Sequence, residues 1–214
     1  MTQTFLFNSP PRSGNVFLTN IFTMLTDIQS DKCLDIEKYS DRHQKQAAFF
    51  RNPYDSIPST VVKTRTDLDI GFDDYKSICD EMKAWANEYL KAIKAAKQNS
   101  EYVYIDKSEN MMEDPIEAIK NIALFFGFKI NNNTVTNEQI VDEIKRRMKK
   151  TEKTRVDKNG VTITETLMSS HDGHLPREKT DVRIYLDNLI RELDFDIVKA
   201  CYNEYMSIEP RVQK

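Results

Sequence analysis

The stretch that decides the fold runs from residue 4 to residue 18 and reads TFLFNSPPRSGNVFL. Its first four residues form a short apolar run that is typical of a buried strand, and the prolines that follow stop that strand. Beyond Gly14, apolar residues recur at positions 16, 17, 18, 21, 22, 24 and 25, which indicates a helix buried on most of its faces. The opening of the chain therefore predicts a strand, a tight loop and a helix.

The predicted loop has the features of an anion-binding loop. Backbone N–H groups at the start of a helix lack partners, and together with the helix dipole they attract phosphate. Gly14 lets the backbone approach an anion closely, Ser13 adds a hydroxyl donor, and Arg12 adds a permanent positive charge. The alternative is an ordinary turn, because short Gly/Pro loops are common turns.

The loop lacks the GxxxxGK[ST] pattern of ATP-type P-loops, which disfavours a magnesium-dependent kinase or NTPase. A second apolar run, at 47–50, leads into the motif RNPYDSIPS at 51–59 and predicts another buried strand, this one ending in Arg51.

Helical and strand patterns alternate along the rest of the chain. Apolar positions spaced by three or four predict a long amphipathic helix over 73–98, followed by a strand at 102–105. Asp114 and Pro115 begin another helix, and a final helix covers about 180–205 with a possible break at 194–196. The alternation predicts an α/β fold of the three-layer P-loop type, with a short, mainly parallel central sheet flanked by helices. Such sheets bind ligands at the carboxyl ends of their strands.

The motifs PxRSGxxFL, at 10–18, and RNPxDxxxS, at 51–59, together resemble the two phosphosulfate-binding signatures of sulfotransferases that use 3′-phosphoadenosine 5′-phosphosulfate (PAPS). The segment SENMMEDP at 108–115, with LFFGF at 124–128, resembles a third segment of that family, YEDLxxDP…FLG. The resemblance implies that the first loop binds the 5′-phosphosulfate and that Arg51 and Ser59 bind the 3′-phosphate. The implied residues of the first loop are Arg12, Ser13, Gly14, Asn15, Val16 and Phe17.

Three positions depart from the family pattern. Asn15 and Val16 stand where the family usually has small hydroxylated residues, and Ser108 stands where it has a tyrosine. A relative that binds a nucleotide or a partner without catalysing transfer is therefore the alternative function, and a P-loop kinase is a more distant one.

By the same resemblance, the chain moves a sulfuryl group from PAPS to a hydroxyl or amine of a small-molecule or glycan acceptor, without a metal, and releases adenosine 3′,5′-bisphosphate. Arg12 would stabilise the charge that grows on the leaving phosphate. The family's general base lies between the two motifs, where His43 is the single histidine and Asp35, Glu37 and Asp41 are competing carboxylates. The alternative for His43 is a surface histidine in a polar run.

The composition of the chain bears on nucleic-acid binding, cellular location and membrane insertion. The net charge of −3 over 214 residues disfavours a dedicated nucleic-acid binder. Three scattered cysteines form no disulfide framework, which favours a reducing, cytoplasmic location, and no apolar run is long enough to predict a membrane span. We expect a single domain over 1–214 with a mobile loop or hairpin at 151–176, while the oligomeric state stays open.

Overall fold

Four parallel strands form the central sheet in the computed structural model of the chain, in the order β2-β1-β3-β4. The structure describes residues 4–11, 13–64, 75–131, 136, 138–139, 142, 153–156, 162–165 and 177–209. The strands are β1 (Phe5–Asn8), β2 (Ser30–Cys33), β3 (Gln46–Phe50) and β4 (Val103–Lys107).

Helices connect the strands and follow them. They are α1 (Asn15–Thr26), α2 (Pro53–Thr64), α3 (Tyr75–Gln98), α4 (Ser108–Glu113), α5 (Pro115–Phe126), α6 (Arg177–Leu193) and α7 (Asp196–Met206). A 3-10 helix covers Glu37–Ser40. None of the helices within the described ranges is both long and apolar enough to cross a membrane.

Two further strands lie in the segment for which a mobile loop or hairpin was expected. They are β5 (Lys153–Val156) and β6 (Thr162–Glu165), and they pair with each other in antiparallel fashion. The other residues of the expected segment at 151–176 lie outside the described residues.

Two hydrophobic cores lie on opposite faces of the sheet. In β3, Ala47 and Phe49 join the core formed with α1 and α5, whereas Ala48 and Phe50 join the core formed with α2, α3 and α7. Strands of a parallel sheet are buried on both faces, which is why β1 and β3 read as continuous apolar runs in the sequence. The three-layer α/β fold predicted from the sequence is confirmed.

Local signals in the sequence place several helix ends correctly. The Asp114 side chain accepts a 3.1 Å hydrogen bond from the Glu117 N–H and caps α5, and Gly127 ends that helix with a φ of 70°. The predicted break in the last helix is also present, because Asp194 adopts a φ of 46° between α6 and α7.

Two elements next to the site, as well as the 3-10 helix, were not predicted from the sequence. The edge strand β2 has the sequence SDKC, which carries no apolar alternation, and α4 is a helix of only 6 residues. Both matter for the site, because each lies next to a strand end from which a predicted binding loop starts.

Candidate functional site

The first predicted loop leaves the carboxyl end of β1 and is held by its two neighbouring strands. The Ser9 N–H donates to the carbonyl of Cys33 at the end of β2 (3.0 Å), and the Ser9 hydroxyl accepts from the N–H of Phe49 in β3 (2.8 Å). The loop therefore begins from a fixed position at the centre of the sheet edge.

Gly14 adopts a left-handed conformation, with a φ of 81°. Its carbonyl accepts a 3.1 Å bond from the N–H of Leu18, which begins α1. A Cβ at position 14 would lie 2.7 Å from the Cε of Met111 in α4. The positive φ is therefore the main reason for glycine here, because the Cε of Met111 ends a flexible side chain that can move aside.

Ser13 has a buried hydroxyl without a hydrogen-bond partner among the described residues. The residue is 1% exposed, while its carbonyl accepts a 3.1 Å bond from the Ser108 hydroxyl. Buried hydroxyls are rarely left unpaired, because desolvation without a compensating bond is unfavourable. The unpaired donor beside the N-terminus of α1 is the feature expected of a loop built to receive an anion.

The second predicted loop leaves the end of β3 and leads into α2. The Tyr89 hydroxyl of α3 donates to the carbonyl of Arg51 at 2.6 Å, and the Asn52 side chain accepts from the N–H of Tyr54 at 3.0 Å. The Arg51 side chain is half-buried and makes no ion pair or side-chain hydrogen bond within the described part of the chain. Ser59 lies buried further along α2, with 6% of its surface exposed.

The two loops contact each other directly. The Ser56 hydroxyl of α2 donates a 3.2 Å hydrogen bond to the carbonyl of Pro11. The structure thus brings together, at one edge of the sheet, the two motifs that the sequence singled out.

Glu109, in α4, connects the second loop to the last helix. One of its carboxylate oxygens accepts the N–H of Asn52 at 3.0 Å, and the other accepts the hydroxyl of Tyr205 at 2.8 Å. Burial, and then the Glu109 carboxylate, raise the pKa of Tyr205 well above its usual range, so Tyr205 stays the donor of this bond. The Nζ of Lys107 lies 5.0 Å from the centroid of the Tyr205 ring.

Arginines of α6 hold the first turn of α2. An Arg183 guanidinium nitrogen donates to the carbonyl of Asp55 at 2.7 Å, and Arg191 pairs with the Asp55 carboxylate at 3.0 Å. Neither contact was predicted from the sequence. Asp55 belongs to the motif RNPxDxxxS, but no motif includes Arg183 or Arg191.

A small cavity, partly open to solvent and with room for about one water molecule, borders the first loop. Its lining is mostly apolar, with a single carboxylate from Glu88 on α3. The lining residues are Pro10, Pro11, Leu34, Ser56, Ile57, Thr60, Trp85, Glu88 and Tyr89. Glu88 is half-exposed and pairs with Lys91 at 2.8 Å. No motif or spacing in the sequence marked Glu88 as a site residue.

His43 is not brought to this site. It precedes β3, is exposed, and therefore lies at the amino end of that strand, whereas both loops follow carboxyl ends. Among the competing carboxylates, Glu37 and Asp41 are exposed, while Asp35 follows the carboxyl end of β2 and pairs with Lys38 at 3.6 Å. Thus Asp35, and not His43, shares the edge of the two loops.

The remaining predicted residues lie in the first turn of α1 or outside the described residues. Asn15, Val16 and Phe17 begin α1. Arg12 is not among the residues that the structure describes. No group of three or more His, Cys, Asp or Glu side chains suited to a metal ion occurs in the described ranges.

The fold is similar to the crystal structure of mouse sulfotransferase SULT7A1 complexed with PAP, with a TM-score of 0.50 and 14% sequence identity. The similarity covers 96% of this chain and 89% of that chain. This chain has the sulfotransferase fold. No protein-family model matches the sequence, and no curated protein matches it.

Proposed function

We propose that this chain is a PAPS-dependent sulfotransferase, which transfers a sulfuryl group to a hydroxyl or amine of a small-molecule or glycan acceptor. The observation that carries the proposal is the buried, unpartnered hydroxyl of Ser13, in a loop that contacts the second motif through the Ser56–Pro11 bond. The sulfotransferase fold and the PAP complex of the similar mouse protein add support.

The first loop is assigned to the 5′-phosphosulfate. Gly14 and the first turn of α1, from Asn15 to Phe17, offer backbone N–H groups to the anion, and Ser13 offers a hydroxyl. The guanidinium of Arg12 is assigned to the same anion. A phosphate or sulfate oxygen would supply the acceptor that the Ser13 hydroxyl lacks. The left-handed Gly14 fits this use, because the backbone has to approach the anion closely.

The second loop is assigned to the 3′-phosphate, which distinguishes PAPS from ATP. Arg51, a half-buried residue, supplies a guanidinium, and Ser59 supplies a hydroxyl on the helix that follows it. A guanidinium binds phosphate through two parallel charge-assisted bonds. The bond between Ser56 and Pro11 keeps the two phosphate subsites at a fixed spacing.

The small cavity beside Pro10 and Pro11 is assigned to the reacting hydroxyl or amine of the acceptor, and the rest of the acceptor is assigned to the surface outside it. In the reaction, the acceptor oxygen or nitrogen forms a bond to sulfur while the bond between sulfur and the 5′-phosphate oxygen breaks. Arg12 and the loop N–H groups stabilise the charge on the departing phosphate. The acceptor proton passes to a carboxylate, and Glu88 takes this role because it lines the cavity. His43 has no part in the assignment, since it lies at the opposite edge of the sheet.

Ligand binding and transfer test the proposal separately. We expect adenosine 3′,5′-bisphosphate to raise the melting temperature, and Mg-ATP to leave it unchanged. Incubation with ³⁵S-labelled PAPS and a panel of phenols, alcohols, amines and glycans should then yield a labelled product. Stabilisation without transfer to any acceptor would favour the non-catalytic nucleotide-binding relative, and stabilisation by Mg-ATP alone would favour a kinase.

A further inference from the structure

The first two residues of α4 contact the backbone of both binding loops. The Ser108 hydroxyl donates to the carbonyl of Ser13, 95 residues away in the chain. The Glu109 carboxylate accepts the N–H of Asn52, 57 residues away. Because these two residues are adjacent in sequence, a single peptide unit of α4 links the backbones of the two loops, in addition to their direct contact through Ser56 and Pro11.

We propose that Ser108 and Glu109, which we name the α4 bracket, are positioning residues that fix the spacing between the 5′- and 3′-phosphate subsites. This role rests on the proposed function, because it assigns the contacted loops to the two ends of one nucleotide. The two residues act through the backbone of the loops and need no contact with PAPS.

The geometry of Ser108 fits this role. The residue is 4% exposed, and its hydroxyl has a backbone partner at 3.1 Å, so it has little freedom to turn toward a ligand. Its bond orients the peptide that follows Ser13, and the N–H of that peptide belongs to Gly14. The sulfotransferase motif has tyrosine at this position, and the serine here serves as a backbone anchor.

Glu109 is held from a second side. Its other carboxylate oxygen accepts the hydroxyl of Tyr205 at 2.8 Å, so α7 restrains the carboxylate that restrains Asn52. Asn52 in turn follows Arg51, whose own carbonyl is held by Tyr89 at 2.6 Å. Backbone contacts on both sides thus set the direction from which the Arg51 guanidinium leaves the chain.

Substitutions at the two residues of the α4 bracket should reduce ligand affinity in different ways. Glu109→Ala disturbs the loop that carries Arg51, so we expect affinity for adenosine 3′,5′-bisphosphate to fall about 10-fold, the usual size for one charge-assisted hydrogen bond. Affinity for adenosine 5′-phosphosulfate, which lacks the 3′-phosphate, should stay within about 2-fold by the same reasoning. Ser108→Ala should lower the affinity for both ligands by the same factor, because both ligands bind the first loop. Ser108→Thr, which keeps the hydroxyl, should restore binding.

The experiment is calorimetric titration of both ligands with wild type, Glu109→Ala, Tyr205→Phe and Ser108→Ala, with far-ultraviolet circular dichroism as the folding check. As a matched control, Glu113→Ala removes an exposed carboxylate from the same helix. A smaller loss of the same kind is expected for Tyr205→Phe, which frees one oxygen of Glu109 and leaves the Asn52 bond in place.

The ratio of the affinities for adenosine 3′,5′-bisphosphate and adenosine 5′-phosphosulfate decides whether the α4 bracket stands. A ratio that is unchanged in a folded Glu109→Ala variant, while wild type binds adenosine 3′,5′-bisphosphate, overturns the α4 bracket and leaves the proposed function standing. Failure of wild type to bind adenosine 3′,5′-bisphosphate overturns both. If Glu109→Ala does not fold, the same affinity ratio is measured in Glu109→Gln and Tyr205→Phe, where a smaller change in the same direction is expected. Amide hydrogen exchange at Asn52 should be faster in either variant than in wild type.

Discussion

The hydroxyl of Ser56 donates a hydrogen bond to the carbonyl of Pro11 at 3.2 Å, across 45 residues of chain. Ser56 belongs to the helix that follows the second motif, and Pro11 to the loop of the first. This bond is the direct contact between two sequence motifs whose shared use of one nucleotide is the basis of the proposed function.

Ser56→Ala should loosen the contact between the loops. The residue is 2% exposed, so the substitution leaves the Pro11 carbonyl without its partner and should lower the free energy of unfolding by about 1–2 kcal/mol. Urea denaturation measures this loss. Ser40→Ala, at an exposed serine of the 3-10 helix, is the control and should change stability by less than about 0.5 kcal/mol. Equal stability of the two variants would show that the Ser56 bond is dispensable.

Gly14→Ala should damage both stability and binding. The left-handed backbone disfavours any side chain by about 1–2 kcal/mol, and the new Cβ would also displace the Cε of Met111, which lies 2.7 Å away at the end of a flexible side chain. Gly127→Ala is a matched control, since Gly127 has a φ of 70° and a Cβ added there would meet no atom within 4 Å.

We expect both glycine variants to lose stability in thermal unfolding, and only Gly14→Ala to lose affinity for adenosine 3′,5′-bisphosphate. Unaltered affinity in Gly14→Ala would contradict the assignment of the first loop to an anion.

Arg51→Gln should lower the affinity for adenosine 3′,5′-bisphosphate by about 100-fold, because the lost interaction is a charge-assisted contact with phosphate. Arg42→Gln is the control: Arg42 is exposed, precedes β3, and lies 5.7 Å from the Tyr102 ring at the other edge of the sheet. Isothermal titration at two salt concentrations should show a weaker salt dependence for Arg51→Gln than for Arg42→Gln. Similar affinities in the two variants would remove Arg51 from the nucleotide site.

Glu88→Gln should reduce kcat by about 100-fold or more, the usual contribution of a general base. Affinity for adenosine 3′,5′-bisphosphate should not change, because Glu88 lines the cavity beside the first loop and belongs to neither motif. Steady-state kinetics with an identified acceptor measures the effect, and Asp80→Asn, at an exposed position of α3, is the control. If Asp35→Asn abolishes turnover and Glu88→Gln does not, the base is the carboxylate at the end of β2.

Much of the fold could be predicted because its signals are local. A run such as Phe5 to Phe7 is apolar on both faces since the strand is covered on both faces, and the cap at Asp114 involves residues only three apart. The edge strand β2 carried no such signal. Its pairing with β1 stabilises a polar segment whose composition alone does not favour a strand.

The sequence by itself determined the three-layer α/β fold and the two loops at strand ends, because apolar periodicity, glycine conformation and helix capping act between near neighbours. Only the tertiary structure decided which other groups join those loops. Ser108 and Glu109 reach them across 95 and 57 residues, and Glu88 reaches the cavity from a different helix. It also placed His43 at the opposite edge from the loops. Such relationships depend on how helices pack on the sheet and where each side chain points, and no short stretch of sequence encodes either.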